Sequence, residues 1–282
     1  MSRIESASSI NTYLHCPRQY YYSYKESLPR SESIATITGK VIHSTLENFY
    51  NLSVNGISKE DYMEKFQERL VTLFNQEWAA SIPKLLNLGI EKADIQKYYS
   101  DALGMLHNFA SKIISEIEDR MTLGEDFEKA FNSIKPETEL FIESPEYKIR
   151  GYIDAVHETN GEITLIDYKT SKRDIVTPEY LRQLSIYALL YSENFNKVPK
   201  DVGLYFIRTG TTKKVKADES LLTQAKMDCK TIHEKTVSDN IEDYPRNLGP
   251  HCNGKFFNCD FYDVCFGNKT KEEFIKEKTK ED

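Results

Sequence analysis

The run "YKIRGYIDAVHETNGEITLIDYKT", residues 147–170, constrains this chain more than any other stretch. Two segments of alternating character flank Asn160-Gly161, a dipeptide suited to the positive φ angles of a two-residue hairpin turn. The pattern predicts antiparallel strands over 147–158 and 162–170. Asp154 and Asp167 then fall on adjacent strands, within reach of one cation. Lys169 lies two residues past Asp167 and projects from the same strand face. The intervening Tyr168 offers a main-chain carbonyl as a further oxygen ligand. Two aspartates and a lysine at strand ends also suit a plain surface cluster, so the hairpin alone leaves the chemistry open.

Around this hairpin the pattern is mixed. "ETELFIE" (137–143) alternates like a strand, and "DVGLYFIRTG" (201–210) and "KKVKA" (213–217) read as a further strand pair. Helical spacing predicts helices over 6–25, 36–53, 178–195 and 218–239, the first capped by Ser8 or Ser9 and kinked at Pro17. From about 55 to 122 the pattern is helical, broken near Pro83 and Gly89, and reads as a helical insertion ahead of the strands. The fold class expected is therefore α/β. The 282 residues suffice for one large domain, expected over 1–270, with a cysteine-rich segment at about 245–266 and a charged tail at 271–282 that should fray.

With 39% hydrophobic and 29% charged residues, the chain should be soluble and globular. Residues 1–14 lack a basic start followed by an apolar block, and "IYALLY" (186–191) is too short to span a bilayer. A cytoplasmic, nucleoid-associated location is expected, with no membrane partner. A net charge of −7 argues against a protein that coats nucleic acid by charge alone. It does not exclude a nuclease, whose site carboxylates are neutralised by divalent cations. No G-x-x-x-x-G-K-[ST] loop occurs, so the chain carries no visible ATP motor.

Of five cysteines, Cys252, Cys259 and Cys265 crowd into fourteen residues, Cys16 lies far upstream and Cys229 stands apart. Without an export signal a disulfide framework is not expected, and the crowding points to a metal site. Cys229 reads as a buried apolar residue. His43 sits on an amphipathic helix, and Gln183 and Tyr187 share a helix face at i, i+4. Each of these three also suits ordinary packing.

Taken in order, "SSINTYLHCPRQYYY", "GKVIHSTLE", "GYIDAV", "LIDYKTS" and "QLSIYALLY" resemble the RecB-like branch of the PD-(D/E)XK nuclease superfamily, over about residues 8–266. The resemblance implies a restriction-endonuclease-like core, a mixed central sheet flanked by helices. It implies that His43, Asp154 and Asp167, with the Tyr168 carbonyl, bind Mg²⁺ or Mn²⁺. Asp154, Asp167 and Lys169 would be catalytic. Gln183 and Tyr187 would contact DNA or support the site, and Glu139 would be an optional further acid. The cysteine pattern is similar to that of iron–sulfur RecB-like nucleases of the AddB and CRISPR-associated types, in which Cys16, Cys252, Cys259 and Cys265 would hold a [4Fe–4S] cluster. The gap between Cys252 and Cys259 is longer than that pattern's usual two residues, which makes His251 a neighbouring candidate, and structural Zn²⁺ is the alternative cofactor.

The function this implies is a metal-dependent deoxyribonuclease, an exonuclease acting on single-stranded DNA or DNA ends in repair, recombination or defence. The alternatives are a DNA-end-binding scaffold, or a nuclease subunit that works beside a helicase or within an integration complex. Beyond the site, "RQYYYSYK" offers either aromatic packing or base stacking, with Arg18 and Lys25 at its edge. Lys172 and Arg173 are candidate phosphate contacts.

Overall fold

The predicted hairpin is present in the computed structural model, which describes residues 3–54, 56–254 and 258–278. Its strands follow β1 (Glu137–Ser144): they are β2 (Ile149–Thr159) and β3 (Glu162–Lys169). Asn160 and Gly161 take φ of 53° and 79°, as a two-residue turn of this hand requires. Two more strands, β4 (Asp201–Phe206) and β5 (Thr211–Lys216), complete a five-stranded sheet in the order β1-β2-β3-β4-β5. All neighbours are antiparallel except β3 and β4, which run parallel. A parallel pair needs a crossover, and a helix between the two strands supplies it.

The helices are α1 (Ala7–His15), α2 (Pro17–Tyr20), α3 (Ile34–Tyr50), α4 (Tyr62–Asn87), α5 (Lys92–Thr122), α6 (Phe127–Ile134), the crossover α7 (Pro178–Phe195), α8 (Glu219–Lys235), α9 (Tyr262–Phe266) and α10 (Lys271–Lys278). One face of the sheet carries a core built with α1, α7 and α8. The other carries a core built with α3, α4, α5 and α6. The helical run expected over about 55–122 is thus a pair of long helices, and α6 extends it towards β1. No described helix is long and apolar enough to cross a membrane.

Local details differ from the sequence reading for identifiable reasons. Ser6, not Ser8 or Ser9, caps α1; its hydroxyl accepts from the Ser9 N–H while the Ser9 hydroxyl accepts from the Ser6 N–H. The kink falls at Cys16, whose extended backbone separates α1 from α2 ahead of Pro17. After α2 the chain widens into a π-helical turn over Tyr21–Lys25. Tyr20, Tyr21 and Tyr22 are buried, and Tyr20 and Tyr21 pack on Tyr244 while Tyr22 packs on Phe261, so those three rings are core packing and not base-stacking surface. The expected frayed tail is helical over Lys271–Lys278, because Phe274 is buried against Phe261. Residues 279–282 of that tail lie outside the described residues. Cys229 is buried in α8, and burial, followed by the Asp228 charge, pushes its thiol up to about 12.

A cleft of about 830 Å³ opens between α5 and strands β2 to β5, lined by His157, Lys112 and Lys214 among others. Burial, then the two lysine charges, lower His157 to about 4 from an ordinary 6.5. Between those values the unfolded chain binds a proton that the folded chain refuses, so stability falls as pH falls from 6.5 towards 4. His157→Gln removes this contribution. The drop in urea midpoint between pH 7 and pH 5 should therefore shrink in the variant; an unchanged drop would show that His157 stays solvated.

Candidate active site

The sheet and α7 enclose a second cleft, of about 530 Å³, lined by His43, Asp154, Asp167, Lys169, Gln183 and Tyr187. It is smaller than the cleft beside α5, but the carboxylates and the lysine converge here. All of the side chains singled out on the hairpin, on α3 and on α7 face it.

Its geometry begins where β2 and β3 part. Their ladder runs from Thr159↔Glu162 to Ala155↔Ile166. The Tyr168 N–H then donates to Asp154 Oδ2 at 2.6 Å, so a carboxylate takes the place of a main-chain acceptor. Within one strand residue the N–H and C=O point the same way, so the Tyr168 carbonyl also faces the Asp154 side. Side-chain alternation in β2 slips at this point. Ile149 and Ile153 belong to the α7-side core, Ala155 to the α3-side core, and Val156 again to the first. Opposite the slip, between the pairs Thr138↔Ala155 and Leu140↔Ile153, Glu139 holds φ +50°. A non-glycine residue in that region stores about 1–3 kcal/mol of strain.

The result is a row of acids across three strands: Glu139, Asp154 and Asp167. His43 Nδ1 approaches Asp154 Oδ2 at 3.4 Å from α3. One ligand atom each from His43, Glu139 and Asp154 can be chosen with all separations within 4.8 Å. Asp167 stands beside this group and pairs with Lys169 instead, Oδ2 to Nζ 2.6 Å. Sequence reasoning gave Glu139 little weight, since its place depends on strand register and on a backbone angle that no local motif announces.

Lys169 is held from several sides. Its Nζ donates to Gln183 Oε1 at 2.8 Å and lies 4.6 Å from the centre of the Tyr180 ring. Gln183 Nε2 in turn donates to the Tyr187 hydroxyl at 2.9 Å. Thr177 caps α7 by accepting from the Tyr180 N–H, and Pro178 occupies its first turn, which sets the direction of the helix that carries Gln183 and Tyr187. Gly151 lets the Tyr187 ring approach β2: a Cβ there would lie 3.1 Å from the ring.

The electrostatics suit a cation. Burial and the Asp154 charge push Asp167 up to about 6, against the pull of Lys169 and His43. Burial, then Asp154 and Glu47, also raise Glu139. Burial lowers His43, but the Asp154 hydrogen bond and the charges of Asp154 and Asp167 outweigh it, so the imidazole ends above its ordinary value. Crowded acids raise one another's proton affinity, and a divalent cation relieves the same repulsion.

At the far end of the chain, Cys16, Cys252, Cys259 and Cys265 line one small cavity, joined by Arg18, Arg246 and His251. Asn247 donates to the His15 carbonyl and Arg18 Nε to the Tyr244 carbonyl, which docks this segment on α1 and α2. Burial raises the Cys259 thiol to about 11 and raises Cys265 as well. Lys172 and Arg173 are exposed in the loop after β3.

Among curated proteins, the chain is 27% identical over 208 residues to one of the subunits of the ATP-dependent helicase/deoxyribonuclease of Clostridioides difficile (strain 630), covering 70% of this chain and 18% of that protein. The chain therefore spans less than a fifth of that relative's length. It is 24% identical over 229 residues to the Gene 69 protein of Mycobacterium phage L5, covering 72% and 76% of the two chains. A solved structure of a candidate exonuclease from Eubacterium rectale aligns over 95% of this chain and 89% of its own, with TM-score 0.49 and 12% identity. The row of acids, with a lysine two residues past Asp167 on the same strand, is accompanied by a family-model match over residues 5–266, and by that match the chain belongs to the PD-(D/E)XK nuclease superfamily.

Proposed function

We propose that this nuclease is a Mg²⁺- or Mn²⁺-dependent deoxyribonuclease, an exonuclease on single-stranded DNA or DNA ends, built as one domain around the 530 Å³ cleft. The observation that carries the reading is the acid row Glu139–Asp154–Asp167 beside a lysine clamped by Gln183. His43, Glu139 and Asp154 would hold the cation, with Asp167 and the Tyr168 carbonyl completing its oxygen shell; the histidine nitrogen suits Mn²⁺ at least as well as Mg²⁺. The bound cation would supply a water of lowered pKa and offset charge on the phosphate.

The chain's own groups do the rest. Lys169 Nζ, fixed by Asp167 and Gln183, presents its charge where negative charge grows on the phosphate oxygens. Tyr187 and Gln183 keep that ammonium from swinging to solvent. Because burial and the Asp154 charge raise the Asp167 carboxyl in the metal-free site, a proton would compete with the cation there, and metal binding should weaken as pH falls.

The four cysteines would hold a [4Fe–4S] cluster. They share one cavity across the fold, and two cationic side chains stand beside it to offset thiolate charge. Structural Zn²⁺ is the alternative occupant of the same four thiols, and the resemblance of the cysteine pattern to the iron–sulfur RecB-like nucleases is what favours the cluster. The similarity to part of a helicase/deoxyribonuclease supports a second arrangement, in which a separate motor feeds DNA to this cleft.

The test is anaerobic purification, then incubation with end-labelled single-stranded and duplex DNA and Mg²⁺ or Mn²⁺. Metal-dependent release of labelled ends, abolished by EDTA, is the expected result. Binding without cleavage under every metal would instead favour the scaffold or the motor-dependent arrangement.

A further inference from the structure

Beside the acid row, β1 and β2 carry two same-face cross-strand pairs, Phe141 with Tyr152 and Glu143 with Arg150, and the regular pairing is interrupted at Glu139, between Thr138↔Ala155 and Leu140↔Ile153. The Phe141 and Tyr152 rings lie 4.9 Å apart at 48°. They are 48% and 56% exposed, although both are large and apolar. Tyr152 and Arg150 line the same cleft as Asp154 and Lys169. Two residues of strand rise, roughly 7 Å, separate the ring pair from the acid row.

An exposed aromatic pair, of which the Tyr152 ring lines the cleft and the Phe141 ring extends outward from it, fits a flat ligand with an apolar face. In a duplex, base faces are covered by their neighbours; in a single strand they are free to stack on protein rings. We propose that Phe141 and Tyr152 form a stacking platform for an unpaired base next to the scissile phosphate, with Arg150 on the adjoining phosphate, so that the cleft selects single-stranded nucleic acid. This rests on the nuclease reading of the cleft. A purely structural role is the competing account, because cross-strand aromatic pairs also stabilise a sheet edge.

The experiment separates the two. In a Lys169→Ala background, fluorescence anisotropy with Mn²⁺ compares an oligothymidylate with an abasic oligomer of equal length, which keeps the phosphates and lacks the bases. The platform predicts about tenfold tighter binding of the oligothymidylate. Tyr152→Ala and Phe141→Ala should each erode that preference and Tyr152→Trp should keep it, with thermal midpoints recorded for all. Equal binding of both oligomers before the ring substitutions, or a preference that survives both alanine variants, overturns the platform while metal-dependent cleavage by the wild type leaves the nuclease reading standing. If the wild type neither binds nor cuts nucleic acid, both fall together.

Discussion

Lys169→Ala should lower the rate of phosphodiester cleavage by a factor of about 10²–10³, the usual cost of removing one charge-stabilising donor. The side chain is only 16% exposed and is oriented by Asp167 and Gln183. Its removal also takes the Lys169 charge and hydrogen bond from Asp167, leaving His43 alone to oppose burial and Asp154, which favour the protonated acid. Metal affinity will therefore weaken, and the comparison must be made at saturating Mn²⁺. Single-turnover cleavage gives the chemical step, and anisotropy with the same oligonucleotide gives binding. The expected outcome is a collapsed rate with affinity nearly intact. Gln183→Leu should produce a smaller loss of the same kind, because Gln183 acts by holding the ammonium in place. A Lys169→Ala rate within threefold of wild type would remove this lysine from the mechanism.

Cys16→Ser should have the largest effect on stability. Cys16 and the three late cysteines are more than two hundred residues apart in sequence yet line one cavity. A cross-link that closes a loop of that size is worth about 5–6 kcal/mol by chain entropy. The variant should lose bound iron and the absorbance near 400 nm (roughly, for thiolate-to-iron charge transfer). Its thermal midpoint should fall, and limited proteolysis should cut first between Tyr244 and Phe274. Cys229→Ser, at a buried thiol that does not line that cavity, should keep the iron. A colourless wild type containing stoichiometric zinc would replace the cluster with a structural ion. An unshifted midpoint in Cys16→Ser would mean that the hydrogen bonds of Arg18 and Asn247 hold the segment unaided.

The hairpin was legible because its signals are local. Asn160-Gly161 fixes the turn, the turn fixes the register, and the register puts Asp154 opposite Asp167. The crossover helix was equally plain, since Pro178 and the apolar spacing mark its start and its buried face. What escaped was set by longer range. Glu139 joins the acid row only because β1 pairs with β2 in one register and bends at a positive φ, and neither fact is written in "ETELFIE". The slip in alternation at Asp154 depends on two cores pulling one strand from opposite faces. The helical tail depends on a single phenylalanine finding Phe261. Gln183 and Tyr187 shared a helix face in the sequence, but that they brace Lys169 emerges only when α7 lies against the hairpin.

Most of the cleft's chemistry is contained in one short span. Asp154, Asp167, Lys169, Gln183 and Tyr187 belong to a hairpin and the helix that directly follows it. A chain made from its N-terminus exposes this span, together with the already completed His43 and Glu139, before Cys252 is synthesised. Domains fold as units on this timescale of synthesis, and contacts close in sequence form soonest. The acids and the lysine therefore meet in a nascent protein whose last segment is still missing. A cluster or ion taken up by the four thiols would then be added to a cleft already shaped, and its delivery would be a step of maturation that a cell could regulate separately from translation.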